Sequence, residues 1–252
     1  MTSKTIRETA RIVTAHRQRE GAGFIVRRPF PAQGLDVADP FLLLDEMGPA
    51  DYGPGAAGAG IVHSEMPSDR IREKGGRVHG FQIWVNLPAK LKMTRPRYQE
   101  VSAGKIPEAR SADGRARVRV IAGEALGAHA VIDTHIPIVY QDWTIESGAD
   151  VTVALPREQQ AMAYVFQGAV LVGNEGKEIR DGQLALLGEG DAVRFRGAPG
   201  AGRLLLLAGV PIGEPVARYG PFVMNTQEEI AQAVRDYQSG RMGEITRTAE
   251  VR

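Results

Sequence analysis

No cysteine occurs in the 252 residues, which excludes disulfides, thiolate metal sites and cysteine nucleophiles together. Net charge is equally lacking: 31 basic residues stand against 30 acidic ones, and the basic ones are scattered. Such a chain has no field to hold a phosphate backbone, so no nucleic-acid partner is expected. Long apolar runs are absent as well. The densest, Leu204 to Val210, is far too short to cross a bilayer, and the polar stretch Met1 to Glu20 has no signal-peptide core. No membrane association is expected, and a cytoplasmic location is the default. No G-x-S-x-G elbow, Walker loop or dinucleotide glycine fingerprint appears in a strand–helix context.

What is present suits a soluble globular chain long enough for one large domain or two small ones. Thirty glycines and 15 prolines, spread throughout, predict many tight turns between short strands. Strand-length apolar or alternating stretches cover Gly23–Arg28, Phe81–Leu87, Val118–Ala122, Val131–Tyr140 and Val151–Leu155, then Met162–Phe166, Ala169–Val172, Leu184–Leu187 and Arg203–Ala208. Gly, Pro, Asp and Asn bound them, the punctuation of an all-β fold. Within Ala161–Phe166 the large side chains Met162, Tyr164 and Phe166 share one parity, which predicts a barrel wall with one packed face. Trp84 and Trp143 are expected to pack in two barrels.

One helix is predicted near the carboxy terminus. Thr226 and Glu229 form a capping box, and Glu228 adds negative charge to the first turn. Ile230, Val234 and Tyr237 fall on one face, and Gly240 can close the helix in a left-handed conformation. This is the pattern of an ordinary packing helix.

The carboxy-terminal half, with AYVFQGAVLVG and GQLALLGEGDAVRFRG, follows the cupin pattern of strand, glycine turn and strand. The places where a metal-binding cupin carries histidines hold PREQQ (156–160) and RGAPGAG (196–202), so no metal is expected in this barrel. Elsewhere, His63 and Glu65 are two apart in GAGIVHSEMP, and on a strand both would face the same way. An imidazole and a carboxylate together suit Fe(II), Mn(II) or Zn(II), although an isolated H-x-E usually sits in solvent or in a local hydrogen bond. The adjacent acids Asp45 and Glu46 would point apart on a strand, which favours structural roles over acid–base work.

The motifs DPFLLLDEM, GAGIVHSEMP, QIWVNLP and GPFVMNTQEEI occur in that order, and the chain so resembles the pirins. The resemblance implies an all-β double cupin, with a pirin-like amino-terminal barrel in residues 1–105 and a metal-free carboxy-terminal barrel with its packing helix in 106–252. It also implies iron in the amino-terminal barrel, where His63 and Glu65 match one histidine and one glutamate of the family's metal site. Some pirins cleave flavonols such as quercetin with oxygen; others act without catalysis, as regulators through protein partners. A flavonol-like aromatic substrate and a protein partner are the corresponding expectations.

The chain departs from that pattern at one place. In pirins an H-x-H pair and several strands lie between the first two motifs, whereas here Tyr52 and Ile61 are nine positions apart with GPGAAGAG between them. Eight such residues hold at most one short strand, at ~3.3 Å per residue. Two family ligands, and the strands to carry them, are therefore expected to be missing from a reduced amino-terminal barrel. Dioxygenase chemistry of the quercetin 2,3-dioxygenase type should then be weakened or lost, the alternative to that chemistry being a non-catalytic interaction protein. His79 is the remaining histidine near the site by analogy, either as a third ligand or as a hydrogen-bonded pocket residue; Gln82 either faces the same pocket or is an ordinary strand residue. A shortened barrel exposes sheet edges, which leaves three alternatives: a smaller sandwich, pairing with a second chain, or a damaged gene product that folds poorly.

Overall fold

The computed structural model describes residues 4–20, 24–52, 73–242 and 246–250. They are mostly strands. The chain divides into two compact units, one of Thr14–Val85 and one of Met1–Val13 with Asn86–Arg252. No helix among the described residues is long and apolar enough to cross a membrane.

The larger unit is a sandwich. Its seven-stranded sheet runs, in spatial order, through β1 (Thr9–Thr14), Gln183–Leu187, Gln160–Gln167, Gly202–Gly209, Ile138–Ile145, Ala116–Ala122 and Glu108–Arg110. A four-stranded sheet of Asp150–Ala154, Ala192–Gly197, Ala169–Val172 and Lys177–Arg180 faces it. Alternation decides what lies between them. Val118, Val120, Trp143, Ile145, Ala163, Val165 and Leu204 from the first sheet meet Val151, Val153, Val170, Val172 and Phe195 from the second in one buried core. Trp143 is fully enclosed, its ring centroid 6.2 Å from that of Phe195. Its indole Nε1 donates to Gln141 Oε1 at 2.9 Å, and Gln141 Nε2 donates to the Glu124 carbonyl, so the core carries its polar atoms in pairs.

Two strand expectations are corrected. In Val131–Tyr140 only the last three residues are strand, the element being Ile138–Ile145. Pro137 cannot donate to a ladder, and the Asp133 carbonyl accepts from Arg97 and Gln99 side chains instead. In Gln160–Gln167 both faces are buried, not one: Ala161, Ala163 and Val165 join the core, while Met162, Tyr164 and Phe166 are buried on the opposite face. The small parity fills the narrow gap between the sheets.

An amino-terminal arm completes this unit. Arg7 N donates to the Ala192 carbonyl, Asp191 N to the Thr5 carbonyl and Gly188 N to the Glu8 carbonyl, each at 2.8 Å. The Arg7 side chain, 2% exposed, donates to the carbonyls of Gly188, Pro156 and Arg157 at 3.0, 2.8 and 3.3 Å.

The helix forms as the capping box predicts, α1 running Gln227–Gln238 with both reciprocal bonds of Thr226 and Glu229 made. Gly240 follows at φ +71°. Burial falls on Ile230 and Ala233, while Tyr237 stays half exposed with its ring edge against Phe222.

Candidate functional site

Among the described residues, the smaller unit forms one antiparallel sheet in the order β2 (His16–Glu20), β3 (Phe24–Phe30), β4 (Phe41–Tyr52) and β5 (Gly76–Val85). Its register sets the chemistry. Arg27 lies opposite Glu46, Glu46 opposite Phe81, and Asp45 opposite Gln82. Successive side chains leave a strand on opposite sides, so the adjacent acids Asp45 and Glu46 part company and each meets its own arginine.

On one face Arg27 Nε and Nη2 donate to the two carboxylate oxygens of Glu46 at 2.9 and 2.5 Å. His79 Nε2 shares a 2.8 Å hydrogen bond with the same Glu46 Oε1, and its ring centroid is 5.2 Å from that of Phe81. The Glu46 side chain is wholly buried, whereas those of Arg27 and His79 are 19% and 24% exposed. A carboxylate without water is thus matched by a guanidinium fork, the geometry that makes a buried charge tolerable. The break in pairing between Met47 and Ala50 gives His79 its place, opposite Gly48–Pro49. Gly48 sits at φ +84°, and a Cβ there would lie 2.4 Å from the Val78 carbonyl oxygen, so only glycine fits.

On the other face Arg28 forks onto Asp45, Nε donating to Oδ1 at 2.6 Å and Nη2 to Oδ2, and its Nη1 pairs with Glu20 at 2.9 Å. Gln18 donates to Glu20 and is 2.7 Å from His16 Nε2, so hydrogen bonds run across β2, β3 and β4. Burial pulls the Arg28 guanidinium down, but its bonds to Asp45 and the charges of Asp45 and Glu20 outweigh that and hold it above its ordinary value.

His63 and Glu65 lie outside the described residues. His79 is a hydrogen-bonded histidine, and it lies on the face opposite to Asp45 and Gln82, so those three side chains do not converge. Iron, which the resemblance implies, does not fit the described side chains of this sheet. Asp45 and Glu46 each carry a guanidinium fork already, and a divalent cation beside Arg27 or Arg28 would meet like charge at short range. The arginines were not among the residues singled out from the sequence. Their signal was legible, however: the adjacent arginines Arg27 and Arg28 of the predicted strand Gly23–Arg28 and the adjacent acids Asp45 and Glu46 are complementary dipeptides.

A sandwich of antiparallel sheets around a filled core, with residues 140–243 matching the family described as the pirin C-terminal cupin domain, defines this protein as a cupin. Pirin of Rattus norvegicus is 34% identical over 274 aligned positions that cover 92% of each chain. A pirin-like protein of Solanum lycopersicum is 36% identical over 273 positions, covering 92% of this chain and 91% of that one. The chain belongs to the pirin family. Among solved structures, a quercetin 2,3-dioxygenase from Acinetobacter baumannii matches with a TM-score of 0.84 at 29% identity, covering 96% of this chain and all of that one.

Proposed function

We propose that this chain is a pirin-family protein in which quercetin 2,3-dioxygenase-type chemistry is weakened or lost, and which works in the cytoplasm by binding a protein partner. The observation that carries this reading is the spacing of nine positions between Tyr52 and Ile61, which leaves no room for the family's H-x-H pair and its strands. Two facts support it. The alignment with rat pirin is 274 positions long although the chain has 252 residues, so the relative has positions without a counterpart here. Asp45 and Glu46 of β4 are committed to Arg28 and Arg27, and His79 is committed to Glu46, so none of these three stands ready to replace a missing ligand. With His63 and Glu65 alone, a divalent ion would keep mostly water around it, short of the two-histidine, one-carboxylate face that catalytic non-haem iron uses.

The likeness to the Acinetobacter baumannii quercetin 2,3-dioxygenase favours a second reading, an Fe(II) enzyme acting on a flavonol-like aromatic, with His63 and Glu65 among its ligands. One experiment separates the two. Purified, chelator-treated protein is titrated anaerobically with Fe(II) under calorimetry and then analysed for metal. The first reading expects no binding above background and no loss of stability in His63→Ala or Glu65→Ala. Tight, stoichiometric iron that either substitution abolishes would overturn it in favour of the second.

A further inference from the structure

The edge of the smaller sheet at β2 carries a feature that the metal question leaves untouched. β2 is the terminal strand of the order β2-β3-β4-β5, and its outward backbone groups have no hydrogen-bond partner among the described residues. Its sequence, HRQRE, separates two kinds of side chain by alternation. His16, Gln18 and Glu20 are tied to one another and, through Glu20, to Arg28. Arg17 and Arg19 leave on the opposite side; both are exposed, and neither forms an ion pair among the described residues. The one acid of the strand is thus already neutralised, and the edge is left with two unmatched cations two residues apart. Ile25, opposite Arg19 and 61% exposed, adds an apolar element to the same face.

We infer that β2 is a docking edge for an extended, acidic segment of a partner protein, which adds as a further strand and places carboxylates two residues apart against Arg17 and Arg19. Main-chain bonds to an open edge supply affinity without sequence preference, and alternate side chains supply the selection. A carboxylate on the neighbouring strand, directly opposite or diagonal, lies within reach of an arginine. A second copy of this chain is the poorer occupant. Antiparallel pairing of two β2 strands centred on Gln18 would set Arg17 of each against Arg19 of the other, like charges face to face. The same charges serve to keep such an edge from self-pairing, so the edge is closed to itself and open to an acidic strand.

The inference rests on the partner-binding side of the proposed function and names the chemistry of the partner. It is tested on the full chain by amide hydrogen exchange in the presence of a short peptide alternating glutamate and valine, with one alternating lysine and valine for comparison. The acidic peptide should slow exchange within His16–Glu20, less so as salt is raised, and the basic peptide should not. The R17E/R19E variant should bind the acidic peptide at least about tenfold more weakly, the loss of two exposed charge pairs. If that variant fails to fold, R17Q/R19Q replaces it. No protection of β2, or equal protection by both peptides, would overturn the inference. Iron titration of the same preparation keeps the failures apart: stoichiometric iron overturns the loss of chemistry and leaves the edge standing, while absent protection overturns the edge alone.

Discussion

Replacing the Arg27–Glu46 pair tests whether the smaller sheet is held by charge matching across its register. Glu46 has no exposed side-chain surface and accepts from Arg27 through both oxygens, whereas Arg27 keeps 19% of its side chain in water. The two single substitutions should therefore differ. Arg27→Met leaves a buried carboxylate without its guanidinium fork, and breaking a buried pair from one side costs about 3 kcal/mol or more. Glu46→Leu leaves a guanidinium that can turn towards solvent, at about 2 kcal/mol. The double variant removes both charges and supplies apolar volume, so it should cost no more than the lesser single change. The resulting coupling energy is about 3 kcal/mol, far above the few tenths by which independent sites depart from additivity. Urea denaturation supplies the free energies, and hydrogen exchange along β3, β4 and β5 locates the loss. If the single costs simply add, with coupling under about 0.5 kcal/mol, the pair does not hold the sheet and the reasoning fails.

Two further outcomes follow from the larger unit. The Tyr140 phenol is pushed up to about 12, by burial first and the Asp142 carboxylate second, with Arg119 opposing. A folded-state value above the unfolded 10.0 means that stability is fully present below pH 10 and is lost as pH rises towards 12, by roughly 2–3 kcal/mol. Denaturation curves should show that loss in the parent and not in Tyr140→Phe; equal slopes in both would refute it. Arg7→Ala strips the carbonyls of Pro156, Arg157 and Gly188 of their donor and should cost about 2–4 kcal/mol. Amides of β1 and of Gln183–Leu187 should then exchange faster, and unchanged exchange there would show that the arm is not anchored by this side chain.

Much of the secondary structure was legible because it depends on local pattern. The capping box of Thr226 and Glu229, the turn at Gly168 and strands such as Ala169–Val172 need no distant residue to specify them. Where pattern failed, tertiary context had intervened. Alternation in Met162–Phe166 marked two faces correctly but could not say that both would be buried, because burial depends on what is laid against each face. Val131–Tyr140 read as strand from its apolar residues, yet Asp133 had been claimed by Arg97 and Gln99, more than thirty positions earlier in the chain.

The functional site divides the same way. The order of the four pirin motifs and the short interval from Tyr52 to Ile61 are properties of the sequence alone; the first suffices for the family, and the second is the ground for proposing that a ligand pair is missing. Arg27 with Glu46, and Arg28 with Asp45, exist only once β3 and β4 pair in one particular register. A shift of one residue would exchange the partners' faces. So too with His79, whose separation from Gln82 is a matter of strand parity, and with β2, which among the described residues is the end strand of its sheet. Composition and spacing act along the chain and can be read there. Charge pairing and edge exposure act across it, and only the folded arrangement of strands decides them.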